Sequence, residues 1–159
     1  MSRISDHITY KEATNSYTAK RKGIENKPND LQLRNMRLLA EVIFEPLRKA
    51  LGGSPIYIAS FFRSEKLNEE IGGADNSQHM ANEGAAIDLD NDGYKGVPNN
   101  KEIFDYIKDN LPFDQLIYEF GTDENPGWVH VSYNIGNNRN QILRAKKVND
   151  KTIYEEYAQ

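Results

Sequence analysis

Between residues 31 and 51 the apolar positions Met36, Leu39, Val42, Ile43 and Leu47 recur at steps of three and four, the period of a helix with one buried face. Gly52-Gly53 ends that pattern, and Pro46 within it predicts a kink or a division in two, because proline lacks the N–H that the helix ladder needs. Ahead of it, Thr9 followed by Glu12 forms a capping-box pattern that starts a short helix near Tyr10, and residues 26–30, with Pro28, read as a turn. After the glycines the pattern changes. Residues 55–60 have the β-branched and aromatic character of a buried strand, and residues 64–71 form a short helix stopped by Gly72-Gly73. Residues 85–90 predict a strand, 101–111 a helix, and 114–120, 128–133 and 141–145 further strands, while 154–157 read as a solvated end. Helices mostly precede a small, largely antiparallel sheet, so the fold class is α+β.

Composition narrows what such a chain can do. At 159 residues, with no repeat, low-complexity tract or linker, it fits one domain spanning 1–159. Apolar residues at 38% and charged residues at 28% are enough to build a core. A net charge of −4, with no long run of Lys or Arg, gives no electrostatic footprint for nucleic acid. No stretch approaches the roughly 20 apolar residues of a membrane span, and the start, MSRISDHITYKEATNSYTAKRKG, carries no apolar export region. The expectation is a monomer made in the cytoplasm. Without cysteine, any zinc must be held by histidine and carboxylate.

Histidine occurs at positions 7, 79 and 130. His79 and His130 fall where loop meets strand in a part of the chain rich in small and polar residues, whereas His7 lies in the polar start as an ordinary surface residue. A catalytic zinc takes three protein ligands and leaves one position open, and His79, Asp88 and His130 offer such a set. Residues 88–93 also match the beginning of a calcium loop, but Asn99 stands where the closing bidentate Glu belongs, and a solvated acidic turn accounts for Asp90 and Asp92.

Ser77-Gln78-His79, Gly84-Ala85-Ala86-Ile87-Asp88 and Trp128-Val129-His130-Val131-Ser132 resemble the signature of the zinc cell-wall peptidases. That family includes D-alanyl-D-alanine carboxypeptidases and dipeptidases and the L-alanyl-D-glutamate endopeptidases of phage lysis, with the Hedgehog/DD-peptidase fold. The resemblance extends over residues 60–64, 67–68, 72–74 and 113–117. It implies zinc on His79, Asp88 and His130, with Arg63 contacting substrate near the scissile bond, a task suited to a guanidinium. Beside these, Ser77, Gln78 and Ser132 read as cleft residues or as residues that orient the ligands by hydrogen bonds, and Trp128, by its position next to His130, as a wall of the substrate cleft; Ser77, Gln78 and Trp128 are the expected substrate-binding residues. The resemblance also implies a peptidoglycan peptide as substrate, and an enzyme of phage or prophage type acting on the wall after release from the cell or from a virion. D-Ala-D-Ala and L-Ala-D-Glu are both candidate bonds.

Two departures from the family pattern matter. Four residues, 80–83, separate His79 from Gly84 where the family usually has two, which leaves Glu83 as a reserve ligand for Asp88. Gly127 stands three positions before His130, where the family often has an acid, so the general base falls to Glu119, with Asp123 and Glu124 as alternatives. The absent acid also raises the reading of a catalytically inactive relative that binds wall peptide or serves as a structural module.

Overall fold

The computed structural model describes residues 3–158. A two-stranded antiparallel ribbon, β1 (Arg3–Ser5) and β2 (Ile8–Thr9), leads directly into α1 (Tyr10–Thr14). The expected capping box is formed: Thr9 Oγ1 accepts the Glu12 N–H at 3.0 Å, and the Glu12 carboxylate accepts the Thr9 N–H at 2.8 Å. A further short helix, α2 (Tyr17–Lys22), was not expected; Ser16 caps it and Gly23 closes it in the left-handed conformation.

The long amphipathic stretch is α3 (Asp30–Leu39), a π-helical turn (Ala40–Phe44) and α4 (Glu45–Ala50). The expected break at Pro46 thus takes the form of one widened turn. The Glu45 N–H bonds back five residues to the Ala40 carbonyl, which loosens the turn just where the proline ring would otherwise crowd the ladder. Met36, Leu39, Ile43, Phe44 and Leu47 are fully buried. Each such side chain contributes about 1.5–3 kcal/mol of transfer free energy.

The main sheet contains β3 (Ile58–Ser60), β4 (Ala85–Leu89), β5 (Gln115–Glu119), β6 (Trp128–Tyr133), β7 (Gln141–Val148) and β8 (Lys151–Glu156), in the spatial order β3-β4-β6-β5-β7-β8. All neighbours are antiparallel except β5 and β7, which are parallel. One face is apolar. Ile87, Leu89, Val129, Val131, Leu116 and Tyr118 are buried there with residues of α3 and of α6 (Asn100–Asn110). Because side chains alternate along a strand, the residues between them project from the opposite face, which forms the floor of a cleft.

The C-terminal stretch corrects the reading of a solvated end. Its side chains are exposed, as that reading implied, but its main chain pairs with β7 from Val148↔Lys151 to Leu143↔Glu156. Tyr157 then turns inward, its ring 4.9 Å from Phe104 and 5.6 Å from Tyr118. Hydrophobic periodicity reports buried faces, so an exposed edge strand held by main-chain bonds leaves little trace in it.

Candidate active site

Asp88 of β4 and His130 of β6 are direct cross-strand partners, which places both side chains on the cleft face. His79 comes from a 3₁₀ turn (Gln78–Met80) before β4; Ser77 caps it, its Oγ accepting the His79 N–H at 3.3 Å. Asp88 Oδ1 lies 2.9 Å from His130 Nδ1, and Asp88 Oδ2 lies 3.3 Å from His79 Nε2. The three residues form a group whose ligand atoms lie within 4.8 Å of one another.

The His79 tautomer follows from its partner. Nδ1 donates to the Phe61 carbonyl at 2.7 Å, and a carbonyl can only accept, so Nδ1 carries the proton. Burial lowers the His79 pKa, with Asp88 opposing, and keeps the ring neutral. Nε2 therefore presents a lone pair, buried and without a hydrogen-bond partner, toward a carboxylate oxygen. Two facing lone pairs repel unless a cation lies between them. Zinc bonds of about 2.0–2.2 Å at tetrahedral angles put neighbouring ligand atoms roughly 3.3 Å apart, near the two Asp88–imidazole distances, and the donor set fits this ion in type and charge.

The longer loop after His79 is taken up locally. Met80 and Ala81 turn inward, Ala81 in the left-handed conformation, while Asn82 and Glu83 face solvent. Glu83 takes no part in the donor group. Gly84 brings the chain back against β6: a Cβ there would fall 2.5 Å from the Tyr133 carbonyl oxygen, so only glycine fits.

Around the donors lies a cleft of about 860 Å³. Arg63, just after β3, stands on one flank with Nη2 4.0 Å from Asp88 Oδ2, and its backbone N–H donates to the His79 carbonyl at 3.0 Å. Trp128 lines the cleft beside Phe120, their rings 5.3 Å apart. Gln78 also lines it, but its amide is anchored, donating to Asp114 Oδ2 at 3.0 Å. Ser132 does not line the cleft but sits behind it, against the cleft-lining Gln115. It is fully buried, and its Oγ accepts the Gln115 N–H at 3.0 Å, because that position packs against the end of β5.

The three carboxylates considered for proton transfer separate clearly. Glu119 pairs with Trp128 across the β5/β6 ladder, two residues from Ile117, the partner of His130, and so shares the face of His130. It is buried and lines the cleft. Burial, with Asp88 adding and His130 and Trp128 opposing, raises its pKa from 4.5 to about 7. A bound cation would draw it back down. Asp123 is exposed and paired with Arg144 Nη1 at 2.7 Å, and Glu124 is exposed; neither lines the cleft.

Sequence reasoning missed the clamp behind Gln78. Asp114, 2% exposed, accepts from Arg139 through Oδ1 at 2.8 Å (backbone N–H) and 3.0 Å (Nε), and through Oδ2 at 2.6 Å (Nη2). One carboxylate thus ties the His79 turn to the loop before β7. Its one signal in the sequence is a charged residue directly after Phe113 at the start of an apolar strand. His7 is exposed, as expected, and pairs with Glu45 at 2.6 Å. Asp90 Oδ1 accepts the Asp92 N–H at 2.9 Å and the Asn100 amide at 2.9 Å, and so braces the turn.

Such a fold, with a His–Asp–His donor group and a poised carboxyl in one cleft, has the parts of a metal-dependent hydrolase. The model of the Peptidase M15 family matches residues 6–132. The chain belongs to this family of zinc D-Ala-D-Ala carboxypeptidases, and it is a peptidase by that membership. No curated protein matches it. Among the described residues no helix is long and apolar enough to cross a membrane.

Proposed function

We propose that residues 1–159 form one zinc-dependent peptidase domain that hydrolyses peptide bonds in the stem peptides of bacterial peptidoglycan, acting as a monomer in the manner of an endolysin. The observation that carries this reading is the buried, unpartnered lone pair of His79 Nε2, which faces Asp88 and His130 in the cleft that also holds Glu119.

Zinc would be held by His79 Nε2, Asp88 and His130 Nδ1, and when bound it supplies Lewis acidity to the carbonyl and a lowered pKa to water. The protein's own groups do the rest. The Phe61 carbonyl fixes the His79 ring in the ligating tautomer. Glu119 accepts a proton from the attacking water and returns it to the amine as the C–N bond breaks, leaving a new carboxylate and a new amine. Arg63, with donors to spare on the cleft flank, holds the substrate carbonyl or carboxylate. The wall substrate places the work of the enzyme outside the cytoplasm, after lysis or from a virion.

An inactive wall-peptide binder is the second reading, motivated by Gly127 three positions before His130. The two separate on purified muropeptides incubated with zinc-loaded protein. Product masses reveal hydrolysis and show whether the D-Ala-D-Ala or the L-Ala-D-Glu bond is cut. Cleavage that stops with a chelator and returns with zinc is expected; intact muropeptides at full zinc occupancy would leave the binder.

A further inference from the structure

The wall of the cleft opposite Arg63 is built by the last strand, beyond the residues that the family model matches. Following the ladders across the sheet, Trp128 of β6 pairs with Glu119 of β5, Glu119 with Ala145 of β7, and Ala145 with Tyr154 of β8. Paired residues point to the same face. These four side chains therefore form one row on the cleft face, and Tyr154 lines the cleft with Glu119 and Trp128. Strands lie about 4.8 Å apart, so Glu119 and Tyr154 project from strands roughly 10 Å apart. The residue between them is alanine, fully buried, whose short side chain lets a phenol lean over it toward Glu119. Burial pushes the Tyr154 hydroxyl up, and the charges of Glu119 and Asp88 add to this, as they do for a phenol near both. Tyr154 is nevertheless 56% exposed. A large aromatic that is exposed, on the open face of a sheet and in the row of the general base has its ring available to a ligand.

The side of the substrate that it meets follows from the proposed function, on which this step rests. Glu119 returns its proton to the departing amine, so the residue on the C-terminal side of the cut bond lies toward Glu119. Arg63 stands on the other flank, with Asp88 and His130 between. We infer that Tyr154 is a specificity-determining residue, its ring packing on the side chain of the residue that carries the leaving amine and its hydroxyl hydrogen-bonding that residue's main chain. The chemical class is a D-amino acid at the start of the leaving fragment, D-Ala or D-Glu in the two wall linkages considered above.

The test compares wild type, Tyr154→Phe and Tyr154→Ala on synthetic stem peptides that differ only in the residue after the cut. Tyr154→Phe, which removes one hydrogen bond, lowers kcat/KM about three- to tenfold. Tyr154→Ala lowers it further and flattens the preference among leaving residues. Zinc content and unfolding midpoint stay at wild-type values in the Phe variant. A wild type that cleaves, with both variants within twofold and an unchanged preference, overturns the inference. Binding of the uncut stem peptide to the Glu119→Gln protein, with and without Tyr154→Phe, is measured in parallel by calorimetry. If wild type cleaves nothing but binding weakens with Tyr154→Phe, the contact stands and the peptidase reading falls. If neither cleavage nor Tyr154-dependent binding appears, both fall.

Discussion

Asp88 and His130 face each other across the β4/β6 ladder, carboxylate Oδ1 to imidazole Nδ1 at 2.9 Å, while the other carboxylate oxygen points at the lone pair of His79. One aspartate thus touches both imidazoles, and the group holds together as a set. Replacing His79, Asp88 or His130 by Ala should each remove most of the bound zinc, measured by elemental analysis after dialysis. Glu83→Ala, at a solvent-facing position, should keep it. Full zinc in Asp88→Ala would refute the assignment.

Glu119 is the one carboxyl of the three candidates that lines the cleft, and its raised pKa suits a group that must both take and return a proton. Glu119→Gln should reduce turnover on muropeptides by about 10²–10⁴-fold at unchanged zinc occupancy. Asp123→Asn and Glu124→Gln should stay near wild type. Only the ionised carboxylate accepts a proton, so wild-type kcat/KM should fall as the pH drops through the pKa of Glu119. That pKa is about 7 without metal and lower with it.

Arg63 is mostly buried beside the donor group, with Nη1 3.5 Å from Asn68 Oδ1 and Nη2 4.0 Å from Asp88 Oδ2. Lysine keeps the charge but loses the planar fork. Arg63→Lys should therefore lower kcat/KM by about tenfold or more, the worth of a charge-assisted hydrogen bond, while zinc content and melting temperature hold. A large fall in melting temperature with normal turnover per folded molecule would make Arg63 a structural residue.

The Asp114 clamp gives a stability prediction with a definite sign. Hydrogen bonds from Arg139 lower the Asp114 pKa below its ordinary 3.8, against the effect of burial. A depressed carboxyl contributes stability above its unfolded pKa and loses it as the pH falls through the folded value. Asp114→Asn should therefore cost about 1–3 kcal/mol near neutral pH, toward the lower end because Arg139 is half exposed. The gap to wild type should close as the pH drops below about 4, read by urea unfolding across that range. A gap independent of pH would mean that packing, and not charge, is the contribution of Asp114.

The buried strands and the long helix were legible because they alternate or repeat against a core: β6 was read with its observed ends, and Met36, Leu39, Ile43 and Leu47 fall on the buried face. The His–Asp–His group was legible as two half-motifs on flanking elements, and the extra loop residues hid nothing because they turn to solvent. What escaped were features set by tertiary partners. Strand β8 is held by main-chain bonds to β7, and α2 is a six-residue helix defined by its caps. The Asp114–Arg139 clamp joins residues 25 apart whose types predict nothing singly. Tyr154 gains its place in the cleft only through three successive strand registers.

The hairpin of β7 and β8 joins the rest of the sheet through one ladder, that between β5 and β7. None of the three donor residues lies on it. It is therefore a module that inheritance can lengthen, recolour or exchange while the catalytic floor stays fixed. Relatives sharing the donor group can diverge in the ligand they accept by rewriting this hairpin, and an engineer seeking a new specificity would begin there.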